Sequence, residues 1–404
     1  MERLALIFFL LTNSVSAQTA LRQQVRAIAA DARGRVAVAC SLPDSTLNCD
    51  LEPHAHPPMQ SVFKLPLAIT ALHLVEQRAL SLDQPVRFLP TDRILPHTHS
   101  QLQDRYPEAN VDVPLRELLQ LAVSESDNVA ADMILRVIGG PPVVNSDMSS
   151  IGVAGFHLQD GEDALARDVA AQYRNWFEPA GAVQLLSRIR NNSPLTAEHT
   201  QMLLQWMKDS SSGLHRIKGD LPTGTIVMHK TGSSGTHHGL TSATNDVGLI
   251  ALPDGRRLAI AIFVTDSTAD DDTRDAVIAR IAKAVYDASL ELEYRPTKSA
   301  EAKRWQGGFN RSLCRQRTLQ ITTFARRNPD VPTPPHCCRR SLFLPKRIST
   351  SRAPVSHTPC RTSFQEDPRG GSRPALKSDS PSLANPRVAL ITNCSRGAYS
   401  SIEI

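Results

Sequence analysis

The chain has no uninterrupted apolar run approaching the roughly 20 residues that cross a bilayer, which excludes a multispan membrane protein. With 20 Gly, 41% hydrophobic and 21% charged residues, it is neither collagen-like nor a coiled coil. No P-loop and no G-x-G-x-x-G fingerprint occurs, so nothing points to a nucleotide or dinucleotide cofactor. Zinc chemistry also lacks support. The pairs His54/His56, His97/His99 and His237/His238 have no Asp or Cys ligand at metal spacing, and H-x-H-x-D-H is absent. Cysteine is scarce, and five of the seven lie beyond residue 295 at spacings that fit no metal site.

What remains is a chain of two unlike parts. Residues 1–295 hold 26 Lys+Arg against 34 Asp+Glu, a net of −8, whereas residues 296–404 hold 19 against 6, a net of +13. An acidic body argues against nucleic acid as its substrate. The tail carries 12 Pro and no sustained period, so it is expected to be disordered and to lie outside the working enzyme, as sequence continuing past the body's natural end. A basic tether to nucleic acid or an anionic envelope is the rival reading of those charges.

At the other end, the short apolar run Leu4–Leu11 behind Arg3, followed by Val15-Ser16-Ala17, predicts a secretory signal over residues 1–17. The protein is therefore expected to be secreted or periplasmic and off the membrane once cleaved. With no Cys near the cut, a lipid anchor is not expected.

Periodicity predicts a helix over 21–32, strands over 36–40 and 47–51 around a Pro43-Asp44-Ser45 turn, and a strong helix over 59–77. Cys40 and Cys49 stand symmetrically about that turn, so either a disulfide or two buried thiols fits. Helices follow near 114–138, 168–190 and 196–207, then strands at 225–230, 245–252 and 258–265, and a helix over 273–290. That order predicts an α/β (α+β) fold: an antiparallel sheet flanked by helices, built from 18–58 and 208–292, with an all-helical domain over 59–207 inserted.

Three tetrads and triads carry chemistry. In Ser61-Val62-Phe63-Lys64 the i, i+3 spacing puts an amine within reach of a hydroxyl near a helix start. An alcohol becomes a nucleophile once a neighbouring base takes its proton. Ser126-Asp127-Asn128 reads either as a helix cap or as a hydroxyl proton shuttle (Ser126) with an amide ligand (Asn128). In Lys230-Thr231-Gly232-Ser233, Lys230 and Thr231 would hold an anion, Gly232 would let substrate approach the backbone, and the N–H of Ser233 with that of Ser61 would form an oxyanion hole. Each motif alone is equally well read as a cap, a solvated charge or a strand end.

Together, S-x-x-K, S-D-N and K-T-G in this order are the set of the class A β-lactamases and penicillin-binding proteins. From about residue 18 to 292 the chain resembles class A, with 65 residues from Ser61 to Ser126 and 104 from Ser126 to Lys230. Gln172-Tyr173-Arg174-Asn175-Trp176 resembles the run that closes the omega loop in the extended-spectrum branch. The resemblance implies Ser61, Lys64, Ser126 and Glu162 as catalytic residues, with Glu162 activating the deacylating water. It implies Asn128, Lys230, Thr231, Gly232 and Ser233 as substrate-binding residues, no cofactor, and a monomer acting on small-molecule β-lactams.

The chain departs from the family in four places. Ala166 stands where class A usually has a polar residue four positions after its glutamate, and Asp160 and Asp163 are rival bases. Val247 replaces the usual arginine; Arg216 matches the position from which other members supply it, or is a solvated helix-end charge. His99 falls at the aromatic-wall position or is a surface loop residue. Gln60 and Ser234 replace the Cys pair of the carbapenem-hydrolysing branch. Two rival functions stay open: a sensor acylated without turnover, and a peptidoglycan DD-peptidase.

Overall fold

A computed structural model describes residues 19–292 apart from positions 97 and 192; the expected signal peptide and the 296–404 tail lie outside it. Along the chain come helix α1 (19–29), strand β1 (Arg35–Ser41), a 3-10 turn (Gln60–Phe63) running into α2 (Lys64–Glu76), β2 (Pro85–Phe88), α3 (Gln101–Arg105) and β3 (Val111–Pro114). Then follow α4 (Leu115–Ser124), α5 (Asn128–Ile138), α6 (Pro141–Ser150), β4 (Phe156–His157), α7 (Glu162–Arg167), β5 (Trp176–Phe177), α8 (Pro179–Arg190) and α9 (Ala197–Lys208). The chain closes with β6 (Val227–Ser233), β7 (Thr236–His237), β8 (Leu240–Ala251), β9 (Arg257–Ser267) and α10 (Asp271–Glu291).

The main sheet is antiparallel in the order β1-β9-β8-β6, with β7 added to β8. Its first strand comes from the N-terminal side and the rest from the C-terminal side, as the element order predicts. Side chains alternate between faces along a strand. On β9, Leu258, Ile260, Ile262 and Val264 pack with Val25 of α1 and Val277, Ile281 and Val285 of α10. Ala259, Ala261 and Phe263 face the other way, against the helical block. Burial on both faces explains why these strands read as unbroken apolar runs. At about 1.5–3 kcal/mol for each large aliphatic side chain buried, the two cores supply most of the gain that offsets chain entropy. In the helical block, α2 is buried at every residue from Lys64 to Leu72, so it forms the centre and shows no polar stripe.

The structure departs from the expected elements in four places. The 59–207 block is not all-helical: β2 pairs with β3 and β4 with β5. The 114–138 helix breaks at Glu125–Asp127, where Ser126 takes φ +58° and Asp127 caps α5 by accepting from the Ala130 N–H. Between 168 and 190, a 3-10 segment (Val169–Arg174) and β5 precede α8, which starts at Pro179. No strand forms over 47–51, because Ser45 Oγ accepts the Leu47 N–H and Asn48 Oδ1 the Asp50 N–H, taking them from any ladder. One bridge, Val38 to Leu51, keeps the inferred register, and Cys40 and Cys49 form a disulfide with Cα atoms 5.9 Å apart. Among the described residues no helix is long and apolar enough to cross a membrane.

Candidate active site

Gln60, at φ +49°, opens the 3-10 turn that carries Ser61 and runs into α2, where the first backbone N–H groups lack intrahelical partners. One helical turn on, Lys64 is fully buried. Its Nζ donates to Asn128 Oδ1 (2.5 Å), the Ser126 carbonyl (2.7 Å) and Ser61 Oγ (3.1 Å), and lies 2.8 Å from Glu162 Oε1. Ser61 Oγ donates to the same Glu162 oxygen at 3.2 Å. The hydroxyl therefore sits between an amine and a carboxylate, either able to relay its proton. A solvated lysine is not what the S-x-x-K helix carries.

Across the cleft, the left-handed backbone at Ser126 turns its hydroxyl towards β6, where it accepts from Lys230 Nζ at 2.9 Å. Burial, and then the charge of Lys64, hold the Lys230 ammonium well below the ordinary lysine pKa. Lys230 also donates to the Thr231 carbonyl at 3.0 Å and is fully buried. Its amine is thus shared between Ser126 and the Thr231 carbonyl. Asp127 fixes this loop from beneath: its buried carboxylate accepts from Ser100 Oγ and the N–H groups of Leu102 and Ala130. The cap reading of the triad holds on Asp127, while Ser126 faces Lys230 and Asn128 faces Lys64. His99 is exposed, and its Nε2 donates to the Glu125 carbonyl at 2.6 Å, so it buttresses the loop.

Arg216 sits on a turn, not a helix end. It donates to Asp275 (2.7 Å), the Asn245 carbonyl (3.0 Å) and Ser233 Oγ (2.9 Å). Thr231 Oγ1 lies 2.6 Å from Ser212 Oγ, a partner no motif pointed to. Gly232 has a structural role the sequence reading missed. A Cβ there would lie 2.4 Å from the Met59 carbonyl oxygen and 3.1 Å from Gln60 Cβ, so glycine lets β6 pack against the turn bearing Ser61. Gly232→Ala is expected to cost about 2–4 kcal/mol and to push Ser61 from its partners. Thermal unfolding alongside initial rates checks this, and an unchanged Tm with full activity would contradict it.

The omega loop brings Glu162 to the site. Its neck is closed by fully buried Asn175, whose Oδ1 accepts from the N–H groups of Gln159 and Asp160 and whose Nδ2 donates to the Asp160 carbonyl. Gln172 links the loop to Gln60 (2.6 Å) and Ser242 (3.0 Å). The rival bases point elsewhere, Asp160 to Arg174 and Asp163 to Arg167. Gly161 has no side chain to cap α7; instead Asp132, from α5, accepts the Glu162 and Asp163 N–H groups at 2.7 and 2.8 Å. Burial and the nearby Glu162 charge push the Asp132 pKa up to about 6. Between pH 4 and 6 the folded chain therefore binds this proton more tightly than the unfolded one, and stability from this group falls as pH rises through that window. Asp132→Asn removes the titration, so the Tm of the variant minus that of wild type should rise by several degrees from pH 4 to pH 7. A difference independent of pH would contradict the assignment.

These elements enclose a cleft of about 340 Å³ lined by Gln60, Asn128, Glu162, Ala166, Ser233 and His237, among others. Among the described residues no group of three or more His, Cys, Asp or Glu could hold a metal ion.

A half-buried Ser61 on buried Lys64, a second Ser–Lys pair across the cleft and a loop-borne glutamate define a serine acyl-transfer site on an α+β scaffold. Comparison with known proteins gives the family. A family model described as "Beta-lactamase enzyme family" matches residues 20–289. The chain is 38% identical over 271 residues to the extended-spectrum β-lactamase PER-1 of Pseudomonas aeruginosa, covering 67% of this chain and 88% of that protein. It is 34% identical over 237 residues to β-lactamase VEB-1 of the same organism, covering 58% and 79%. Among solved structures, a β-lactamase from Chitinophaga pinensis superposes with TM-score 0.64 at 40% identity, covering 67% of this chain and 99% of that one. TLA-1 extended-spectrum β-lactamase superposes with TM-score 0.66 at 35% identity, covering 68% and 100%. The chain belongs to the β-lactamase enzyme family and is a β-lactam hydrolase of the class A serine type.

Proposed function

We propose that Ser61 opens the β-lactam ring and is freed again by a water that Glu162 activates. The observation that carries this reading is the shared contact of Ser61 Oγ with Lys64 Nζ and Glu162 Oε1. Lys64, or Glu162 through a water, takes the Ser61 proton as Oγ attacks the lactam carbonyl, whose oxygen is stabilised by the N–H groups of Ser61 and Ser233. Ser126 passes a proton to the leaving nitrogen, helped by Lys230 at 2.9 Å, and Asn128 binds the substrate amide. Thr231, Ser233 and Arg216 hold the substrate carboxylate, with Lys230 adding its field from behind Ser126. Glu162 then delivers water to the ester.

Two observations bear on where and how this happens. The Cys40–Cys49 disulfide suits an oxidising compartment, in keeping with export to the periplasm or beyond. All the site residues fall within the 20–289 match, which supports a catalytic unit that ends before the 296–404 tail. The test pairs a chromogenic cephalosporin with a peptide ending in D-Ala-D-Ala. Many ring openings per chain with no alanine release are expected. A single burst would favour the sensor reading, and alanine release the peptidase.

A further inference from the structure

We infer that Asp246, held in place by His229, is a positioning residue that sets Arg216 and thereby the carboxylate end of the site. The inference rests on the reading of Arg216 given above. In the sheet register Thr231 lies opposite Asp246 and Ser233 opposite Thr244, so Asp246 shares the β6–β8 face with the K-T-G side chain Thr231. Asp246 and His229 are both fully buried. Ile217, Val227 and Ile250 belong to the apolar core of this side of the sheet, and the charges of Lys218 and Lys230 reach Asp246.

A carboxylate in such a place is costly unless its oxygens are used, and here each is. His229 Nδ1 lies 2.9 Å from both oxygens, and the Ile217 N–H donates to Oδ2 at 3.1 Å. Ile217 follows Arg216 directly. The preceding strand residue, Asn245, offers its carbonyl to Arg216 Nη1 at 3.0 Å. Two consecutive residues of β8 therefore hold two consecutive residues of the arginine turn. What remains of the guanidinium spans Asp275 and the Oγ of Ser233, a residue that lines the cleft, so where the turn is tied sets how Arg216 meets the cleft wall.

His229 serves this arrangement and no other visible one. Among the described residues its Nε2 has no hydrogen-bond partner, so Asp246 is the ring's single polar contact. The space it occupies is kept by Gly248, directly opposite on β8, where a Cβ would lie 2.7 Å from His229 Cβ. A pair of well-packed aliphatic residues would fill the volume at less cost. What they could not supply is an acceptor for the Ile217 N–H.

The test is a cycle of Asp246→Asn and Arg216→Ala, singly and together, assayed on a cephalosporin with a free carboxylate and on its methyl ester. Asp246→Asn is expected to raise KM for the acid about ten-fold with kcat changed less than about two-fold, and to leave the ester unaffected. In the Arg216→Ala background the same substitution should change KM for the acid by less than about two-fold. Equal losses on acid and ester, or an undiminished KM rise without Arg216, would overturn the inference. An Arg216→Ala variant with unchanged KM for the acid would refute the carboxylate role of Arg216 and this inference with it. A KM rise in Arg216→Ala that Asp246→Asn does not share would refute the inference alone. If Asp246→Asn does not yield folded protein, His229→Gln makes the same comparison, with the same results expected and the same results fatal.

Discussion

Replacing Ser61 with glycine is expected to lower kcat/KM for β-lactams by a factor on the order of 10⁴ or more. The loss is chemical and not structural. Lys64 keeps three of its acceptors, Asn128 Oδ1, the Ser126 carbonyl and Glu162, when the hydroxyl goes. No buried charge is stranded, and the turn before α2 already tolerates a left-handed residue at Gln60. The variant should therefore fold, bind substrate and fail to open it. Initial rates, an equilibrium binding measurement and a Tm on the same preparation check all three. A rate within ten-fold of wild type would remove Ser61 from the reaction.

Glu162→Ala should act one step later. Acylation retains a base in Lys64, 3.1 Å from Ser61 Oγ, but no carboxylate remains beside the ester. General-base catalysis contributes about 10²–10⁴-fold, so kcat should fall by that factor while one equivalent of product appears in a burst. The surroundings offer little rescue, because Leu165, Ala166 and Val169 line that part of the cleft with apolar groups and the other loop carboxylates, Asp160 and Asp163, are engaged by arginines. Removing Glu162 also breaks a buried ion pair with Lys64, which costs stability. Glu162→Gln keeps the shape of the side chain and separates the two effects. Stoichiometric burst followed by slow turnover in both variants is the expected result; unchanged steady-state rates would reassign deacylation.

The Ser61–Lys64 contact was legible because it is local, whereas Ser126, Glu162 and Lys230 come from 62 to 104 residues away and were legible only through the resemblance. Ser61 and Lys64 meet through one helical turn, and the three motifs sit where backbone breaks place them. The residues that hold those motifs were not legible, because each acts on a distant segment. Asp132 serves N–H groups 30 and 31 residues away, Asp246 serves one 29 residues away, and Asn245 donates to the Pro58 carbonyl across 187. A faint signal existed in each case. Asp132 interrupts the apolar run of α5, and Asn245-Asp246 are polar residues inside a strand buried from Thr241 to Ile250. The fold followed from alternation and element order. Its misreadings came where polar side chains compete for the backbone, at Ser45 and Asn48, or where a single left-handed residue, Ser126, ends one helix and Asp127 starts the next.

The central claim is that turnover runs through a covalent ester on Ser61. The direct measurement is to mix the protein with a slowly hydrolysed cephalosporin, quench in acid during steady-state turnover, digest, and weigh the peptides. One substrate-derived mass increment on the peptide containing Ser61, appearing before steady state and decaying when substrate is exhausted, is the predicted result. Turnover with no adduct on that peptide, or with the adduct on Ser126, would contradict it.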